Sequence, residues 1–308
     1  MICCLMLLRH TKKMNHKAGF IAIVGRPNVG KSTLLNALIG DKIAITSDKP
    51  QTTRHRISGI LTSEDYQMIF VDTPGMHKGK DLLNQTIDKI AVSSLSDVDI
   101  VLFVVDKKKS GAESHIMRYF EKLNIPIYLV INKVDLLQSK PAIDDIIMSY
   151  LGSYDFKGYY PISAKDHVHL EQLKSDIIDI LPEGPQFFPS DMKSDQSESV
   201  MMSELVREKI LYLTEQEVPH AVAVQIESLV DNAKEKTLDV SAIIMVERSS
   251  QKTILIGKNG EKIKAIGTAA RKDINQYLQR KVHLTLWVKV KKDWRNRPQD
   301  LKAFGFGD

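Results

Sequence analysis

Apolar residues fall into short uninterrupted runs in the first two thirds of the chain, and most runs stop at a polar or glycine-rich motif. Short apolar runs rich in β-branched residues are typical of buried strands. The runs predict strands at 20–24, 57–61, 67–71, 100–105, 127–131 and 159–162. Segments with a helical apolar period separate them, at 34–39, 82–95, 116–123 and 170–181. Alternating strands and helices predict an α/β domain with a mostly parallel sheet that is covered on both faces.

The last third of the chain predicts a smaller α+β domain. Its elements are a helix at 202–214, strands at 222–228, 238–247 and 282–290, and two helices around a glycine loop, the second at 261–278. We expect a disordered N-terminal extension at 1–13, the α/β domain at 14–182, a Pro-rich polar linker at 183–200, and the α+β domain with a basic tail at 201–308.

Charge is distributed unevenly along the 308 residues. The formal net charge is +5, yet residues 248–308 contain 15 Lys and Arg against five Asp and Glu, which favours a polyanionic partner. The only cysteines, Cys3 and Cys4, are adjacent, which excludes a disulfide framework and suits a reducing cytoplasm. No apolar run approaches the roughly 20 residues that span a bilayer. We expect a cytoplasmic protein, with weak peripheral association of its basic surface at the inner face of the membrane left open.

Residues 25–32 read GRPNVGKS and fit the phosphate-loop pattern G-x-x-x-x-G-K-[ST] between a predicted strand and a predicted helix. Such a loop aims backbone N–H groups and the positive helix end at phosphates. Lys31 can reach the β- and γ-phosphates, and the Ser32 hydroxyl can hold Mg²⁺. The predicted nucleotide-binding residues here are Gly25, Arg26, Pro27, Asn28, Val29, Gly30, Lys31, Ser32 and Thr33.

Three further motifs follow predicted strands and indicate which base is bound. In DTPG, Asp72 can bind the Mg²⁺ shell through an ordered water and the Gly75 N–H can meet the γ-phosphate. In NKVD, the Asp135 carboxylate can accept two hydrogen bonds from guanine, whereas adenine lacks that donor pair. In SAK, the Ala164 N–H fits the guanine O6. The motifs therefore predict GTP or GDP as ligand, disfavour an ATPase or kinase, and add to the binding site Asp72, Gly75, Asn132, Lys133, Asp135, Ser163, Ala164 and Lys165.

The segments GRPNVGKSTLLNAL, KPQTTRHR, DTPGMH, NKVD and SAK match the motifs of the Era family of ribosome-assembly GTPases, which the chain resembles from residue 14 to its end. The resemblance implies a Mg²⁺-dependent P-loop GTPase domain followed by a type II KH domain. It implies that Thr53, with Thr52 as the alternative, joins Ser32 and Asp72 around Mg²⁺ and marks the first switch loop, and that residues 73–83 form the second. The implied partners are the 3′ region of small-subunit ribosomal RNA and the small ribosomal subunit, and we expect a monomer.

Met76 stands where Ras-like GTPases place a water-orienting glutamine, and a thioether cannot orient water as an amide does. Water must then be positioned by backbone groups, another residue or a bound cation. Our hypothesis is that Asn28 helps to hold K⁺ beside the phosphates; the alternative is a turn residue that tolerates unusual dihedrals. We expect slow hydrolysis, with Arg54 and Arg56 facing solvent or RNA. The predicted catalytic residues are Lys31, Thr53, Gly75 and Asn28.

Residues 257–260 read GKNG between two predicted helices and fit the G-x-x-G backbone clamp of a KH domain. The predicted RNA contacts there are Gly257, Lys258, Asn259, Gly260, Lys262 and Lys264. In the tail, Lys291, Lys292 and Arg295 surround Trp294, a mixture that can grip phosphates and stack a base. A core position is the alternative for Trp294, and an α/β packing module is the alternative for the whole domain.

These patterns favour a GTP hydrolase whose nucleotide state controls RNA binding during small-subunit assembly. The alternative from another class is an RNA-binding module that holds GTP or GDP as a structural ligand with negligible turnover.

Overall fold

The computed structural model describes residues 16–49, 52–76, 81–137, 139–215 and 217–306, so the predicted N-terminal extension lies outside the described residues. In the first domain the apolar runs form six strands: β1 (Lys17–Gly25), β2 (Ile57–Thr62), β3 (Tyr66–Asp72), β4 (Ile100–Val105), β5 (Ile127–Ile131) and β6 (Gly158–Pro161). Five helices connect and cover them: α1 (Lys31–Ile39), α2 (Leu82–Ser93), α3 (Gly111–Phe120), α4 (Lys140–Tyr150) and α5 (Leu170–Ile180).

The six strands form one sheet in the order β2-β3-β1-β4-β5-β6, parallel except for the pairing of β2 with β3. Every residue of β4 and β5 is buried, as expected for central strands that helices cover on both faces. Ligands of such sheets bind beyond the carboxyl ends of the parallel strands. The phosphate loop follows β1, the DTPG motif follows β3 and the NKVD motif follows β5, so the polar motifs meet at one edge.

The second domain consists of α6 (Glu198–Leu213), β7 (Ala223–Asn232), β8 (Thr237–Val246), α7 (Ser249–Ile256), α8 (Glu261–Leu278), β9 (Val282–Val290) and α9 (Pro298–Ala303). In its sheet, β8 lies between antiparallel β7 and parallel β9. Residues on one face of β8 (Val240, Ile244 and Val246) point into a core shared with the helices. The predicted fold class, an α/β domain with a mostly parallel sheet followed by a smaller α+β domain, is confirmed.

Two helices were not predicted, α4 and α9, and α9 lies inside the segment expected to be a basic tail. The segment between α5 and α6 also has more structure than its composition suggests, because it lies along the first domain's sheet. The Ile60 N–H donates to the Lys193 carbonyl at 2.9 Å, and the Gln67 side chain donates to the Phe188 carbonyl at 2.9 Å. Within the described ranges, every helix is too short or too polar to cross a bilayer.

Candidate nucleotide site and nucleic-acid interface

The phosphate loop takes its shape from two glycines that no larger residue could replace. A Cβ atom at Gly25 would lie 2.3 Å from the Val104 carbonyl oxygen. Gly30 has a left-handed φ of 95°, and a Cβ there would lie 2.2 Å from the Asn132 amide nitrogen. The Lys31 ammonium spans the loop and donates to the carbonyls of Gly25 and Arg26 at 3.2 and 2.9 Å. Burial lowers the pKa of Lys31 to about 8, while the charge of Asp72 opposes the shift.

The three residues predicted to surround Mg²⁺ lie together. The Ser32 hydroxyl donates to Asp72 Oδ2 at 2.7 Å, and Thr53 Oγ1 lies 2.6 Å from Ser32 Oγ and 3.2 Å from Asp72 Oδ2. Thr52 instead donates to the Lys49 carbonyl at 2.7 Å, so Thr53 is the threonine that lies beside Ser32 and Asp72, and its Mg²⁺ role stays a prediction. Asp72 is fully buried, and its Oδ1 has no hydrogen-bond partner among the described residues. A buried carboxylate oxygen of this kind suits a Mg²⁺ shell, because hard cations prefer oxygen ligands.

The base-reading motifs are joined to one another and to the phosphate loop. Asn132 donates to the Val29 carbonyl at 2.9 Å and accepts the Ala164 N–H at 3.0 Å. The Lys133 ammonium donates to the Asn28 carbonyl at 2.5 Å. The Ser163 hydroxyl donates to Asp135 Oδ1 at 2.6 Å, which fixes the direction of the carboxylate that is expected to read guanine. The cavity beside these groups has a volume of about 470 Å³.

Gly75 and Met76 lie against the phosphate loop. A Cβ at Gly75 would lie 2.7 Å from the Pro27 backbone, so only glycine permits this approach. Met76 is 7% exposed and packs in the core with Val24 and Ala91, so its side chain is unavailable for orienting water. Asn28 has a left-handed φ of 66°, and its amide donates to the Asp48 carbonyl at 2.6 Å. The conformation suits the turn alternative, whereas the potassium hypothesis stays a prediction.

The expectation that Arg54 faces solvent or RNA is wrong. Its side chain is instead 1% exposed and donates to the carbonyls of Val222 and Pro219 in the second domain, at 2.6 and 3.3 Å. Burial, with the nearby Arg207 charge, lowers the pKa of Arg54 to about 9. Sequence reasoning missed this role because the acceptors are backbone carbonyls 165 and 168 residues away. It also missed Tyr212 of α6, which is 55% exposed and lines the base cavity.

The predicted RNA clamp lies between α7 and α8. Gly257 and Gly260 have left-handed φ values of 73° and 78°, and a Cβ at Gly257 would lie 2.7 Å from Lys262 Cβ. Lys258 and Asn259 between them are exposed, and so is Lys264 on α8. The loop therefore offers backbone, ammonium groups and the N-terminus of an 18-residue helix to a phosphate chain.

The tail prediction is wrong for Trp294. Its side chain is fully buried, its indole N–H donates to the Ala221 carbonyl at 3.3 Å, and it packs with Leu83 and Ile87 of α2. It therefore cannot stack on a base, and the core alternative is confirmed. The neighbouring cations hold protein carboxylates: Lys291 pairs with Asp300, and Arg295 pairs with Asp81 and Glu247. Lys292 is exposed and stays a predicted phosphate contact.

Comparison with known families divides the chain as its fold does. Residues 20–133 match a family described as 50S ribosome-binding GTPase, and residues 217–295 match the KH domain family. The GTPase Era of Lacticaseibacillus paracasei is 48% identical over 293 residues, which cover 94% of this chain and 97% of that protein. The GTPase Era of Alkaliphilus metalliredigens is 44% identical over 299 residues, which cover 95% and 100%.

Two solved structures are similar over nearly the whole chain. One is an Era variant of Aquifex aeolicus bound to GDP and AlF₄⁻, and the other is Era in complex with MgGDPNP and nucleotides 1506–1542 of 16S ribosomal RNA. Each has a TM-score of 0.92 and 39% sequence identity, and each alignment covers 95% of this chain and 100% of the other. The motifs, the fold and these relatives agree, and the chain belongs to the Era family of GTPases, with a P-loop GTPase domain followed by a KH domain.

Proposed function

We propose that this chain is a Mg²⁺-dependent GTP hydrolase that binds the 3′ region of small-subunit ribosomal RNA through its KH domain and assists assembly of the small ribosomal subunit. The observation that supports it most is the meeting of the phosphate loop, the Asp72 carboxylate and the Asp135 base reader at one sheet edge. The relative that was solved with MgGDPNP and 16S ribosomal RNA supports both ligands. We place the chain in the cytoplasm as a monomer that associates with membranes weakly at most.

The residues have separable tasks in hydrolysis. Lys31 would neutralise the β- and γ-phosphate oxygens, and the Gly75 N–H would orient the γ-phosphate. Ser32, Thr53 and Asp72 would hold Mg²⁺, which supplies positive charge where negative charge develops. The chain forms no covalent intermediate in this scheme, so positioning and electrostatics carry the rate.

Single-turnover phosphate release, with and without an RNA of the 16S 3′ region, tests the proposal. We expect slow release from the free protein and faster release with the RNA, while an RNA of equal length and scrambled sequence has little effect. Binding of both GTP and RNA without measurable turnover would instead favour the structural-ligand alternative.

Substitutions of Asn28 distinguish the potassium hypothesis from the alternative that Asn28 is only a turn residue. We expect hydrolysis by the wild type to be faster in KCl than in NaCl, and Asn28→Ala and Asn28→Gly both to lose that difference. Glycine accepts a left-handed φ without strain, so Asn28→Gly removes the amide and keeps the turn. Equal wild-type rates in the two salts would reject the cation role, and potassium stimulation retained in Asn28→Gly would favour the turn role.

A substitution of Lys258 tests whether the G-x-x-G loop binds the RNA backbone. We expect Lys258→Ala to weaken RNA binding several-fold for all sequences alike and to lower the slope of log affinity against log salt by about 0.7, as for one lost phosphate contact on a single strand. Lys122→Ala, which removes an exposed lysine of the GTPase domain, is the control. Fluorescence anisotropy at several KCl concentrations gives both quantities, and an unchanged slope would place the RNA elsewhere.

A further inference from the structure

The first switch segment, residues 42–49 and 52–54, belongs to the GTPase domain by sequence but lies against the KH domain. Ile45 is 1% exposed and is a member of the KH hydrophobic core, which includes Leu205 and Ile210 of α6. Loops normally run over the protein surface. Burial of this aliphatic side chain in the neighbouring domain therefore ties the conformation of the loop to that domain.

Polar contacts continue along the same helix. The Thr46 N–H donates to Glu208 Oε1 at 3.1 Å, and the Lys42 ammonium donates to Glu208 Oε2 at 2.7 Å. Glu208 is only 2% exposed, and a carboxylate buried this deeply needs charged or hydrogen-bonding partners. These contacts and the ion pair with Lys209 supply them. The Lys49 ammonium donates to the Thr214 carbonyl at 3.1 Å, just beyond the end of α6.

Thr53 is held to the KH domain on both of its sides. On one side, Arg207 of α6 donates to the Thr52 carbonyl and pairs with Glu204. On the other side, Arg54 donates to the Val222 carbonyl at 2.6 Å. Glu204, Arg207 and Glu208 occur at i, i+3 and i+4, and thus form one face of α6. This face fixes the backbone around the residue that lies within hydrogen-bond distance of Ser32 and Asp72.

We propose that α6 of the KH domain is the template on which the first switch segment folds, with Glu208 and Arg207 as positioning residues that deliver Thr53 to the Mg²⁺ site. The inference rests on the proposed Mg²⁺ role of Thr53. Since Thr53 is expected to contact the metal only in the GTP state, the template favours GTP over GDP. By linkage, bound GTP favours docking of the KH domain through the same contacts.

The test compares GTP and GDP binding in the full-length protein. We expect Glu208→Ala to weaken binding of a non-hydrolysable GTP analogue in Mg²⁺, and to slow single-turnover hydrolysis, each by about tenfold, the loss typical of a buried charged hydrogen bond. GDP affinity should change less than about twofold, because GDP binding does not use Thr53. Glu208→Gln keeps an acceptor for the Thr46 N–H and should recover part of the loss.

Glu198→Ala removes an exposed carboxylate from the same helix ten residues earlier and is the matched control. Lys49→Ala removes a contact from the GTPase side without opening the KH core, so it tests the template if Glu208→Ala does not fold. Equal losses of GTP and GDP affinity, or none in either variant, would overturn the inference. Wild-type protein without Mg²⁺-dependent turnover would overturn the proposed function instead.

Discussion

Asp135→Asn is expected to change the nucleotide preference from guanine to xanthine. The Asp135 carboxylate faces the base cavity and is oriented by the Ser163 hydroxyl at 2.6 Å. A carboxylate can accept both the N1–H and the amino group of guanine. Asparagine can accept only one of them, and its NH₂ group would meet the guanine amine, donor against donor. We expect GTP affinity to fall by about 10⁴-fold, the lower end of the range for a mismatch in a site built to hydrogen-bond its ligand.

Xanthosine triphosphate should bind the variant well, because its C2 carbonyl accepts from the new NH₂ group. Fluorescence titration of the two triphosphates against wild type and variant measures the exchange. Asp145→Asn is the matched control, since Asp145 pairs with Lys108 on the surface, outside the nucleotide cavity. Guanosine nucleotides bound equally well by Asp135→Asn and wild type would contradict the assignment of the base pocket.

Both predicted switch regions contact the KH domain, so the structure offers two routes by which a bound nucleotide would act on that domain. The first route runs through Arg54 and α6. The second runs through the start of α2, where the Asp81 side chain caps the helix and also accepts from Arg295 at 3.2 Å. Trp294 lies beside that contact and packs on α2. A nucleotide-dependent movement of either switch must therefore move or break contacts with the KH domain.

The sequence predicted the sheet of the GTPase domain well because its central strands are buried on both faces. β4 and β5 have the predicted bounds, because a strand that helices cover on both faces is apolar at every position and appears in the sequence as an uninterrupted apolar run. The nucleotide motifs could also be recognised in the sequence, because their chemistry depends on local backbone shape and on neighbours within the motif. Residues 77–80, part of the predicted second switch, lie outside the described residues.

The contacts between the two domains could not be predicted from the sequence, because they depend on residues far apart in the chain. Whether Trp294 stacks on RNA or fills a core depends on α2, which lies about 200 residues earlier in the chain. Whether Arg54 is solvated depends on carbonyls of the KH domain. Residue type alone cannot distinguish these environments, because aromatic and guanidinium groups serve equally in RNA sites and in protein interfaces. Only the domain arrangement decides between them.

Asp72→Asn is expected to separate activity from stability. The Asp72 carboxylate is fully buried, and burial raises its pKa despite Lys31 and the hydrogen bonds from Ser32 and Thr53. A raised pKa means that ionisation is disfavoured in the folded state, so the charge subtracts from stability once the pH exceeds the ordinary pKa of the carboxyl. The neutral amide keeps an acceptor for both hydroxyls and removes that cost. The melting temperature at pH 7 should therefore be unchanged or higher.

Hydrolysis should fall in the same variant by about 10²- to 10³-fold, because the Mg²⁺ shell loses the negative charge that holds it in place. When the hydrolysis rate is measured as a function of Mg²⁺ concentration, Asp72→Asn should require a far higher Mg²⁺ concentration than the wild type to reach its maximal rate. Asp99→Asn is the control: Asp99 accepts the Phe20 N–H at 2.8 Å near the opposite edge of the sheet, away from the nucleotide motifs. A variant that hydrolyses GTP at the wild-type rate with an unchanged Mg²⁺ dependence would exclude Asp72 from the metal site. A large fall in melting temperature would show that the buried carboxylate stabilises the fold, contrary to the argument from its pKa.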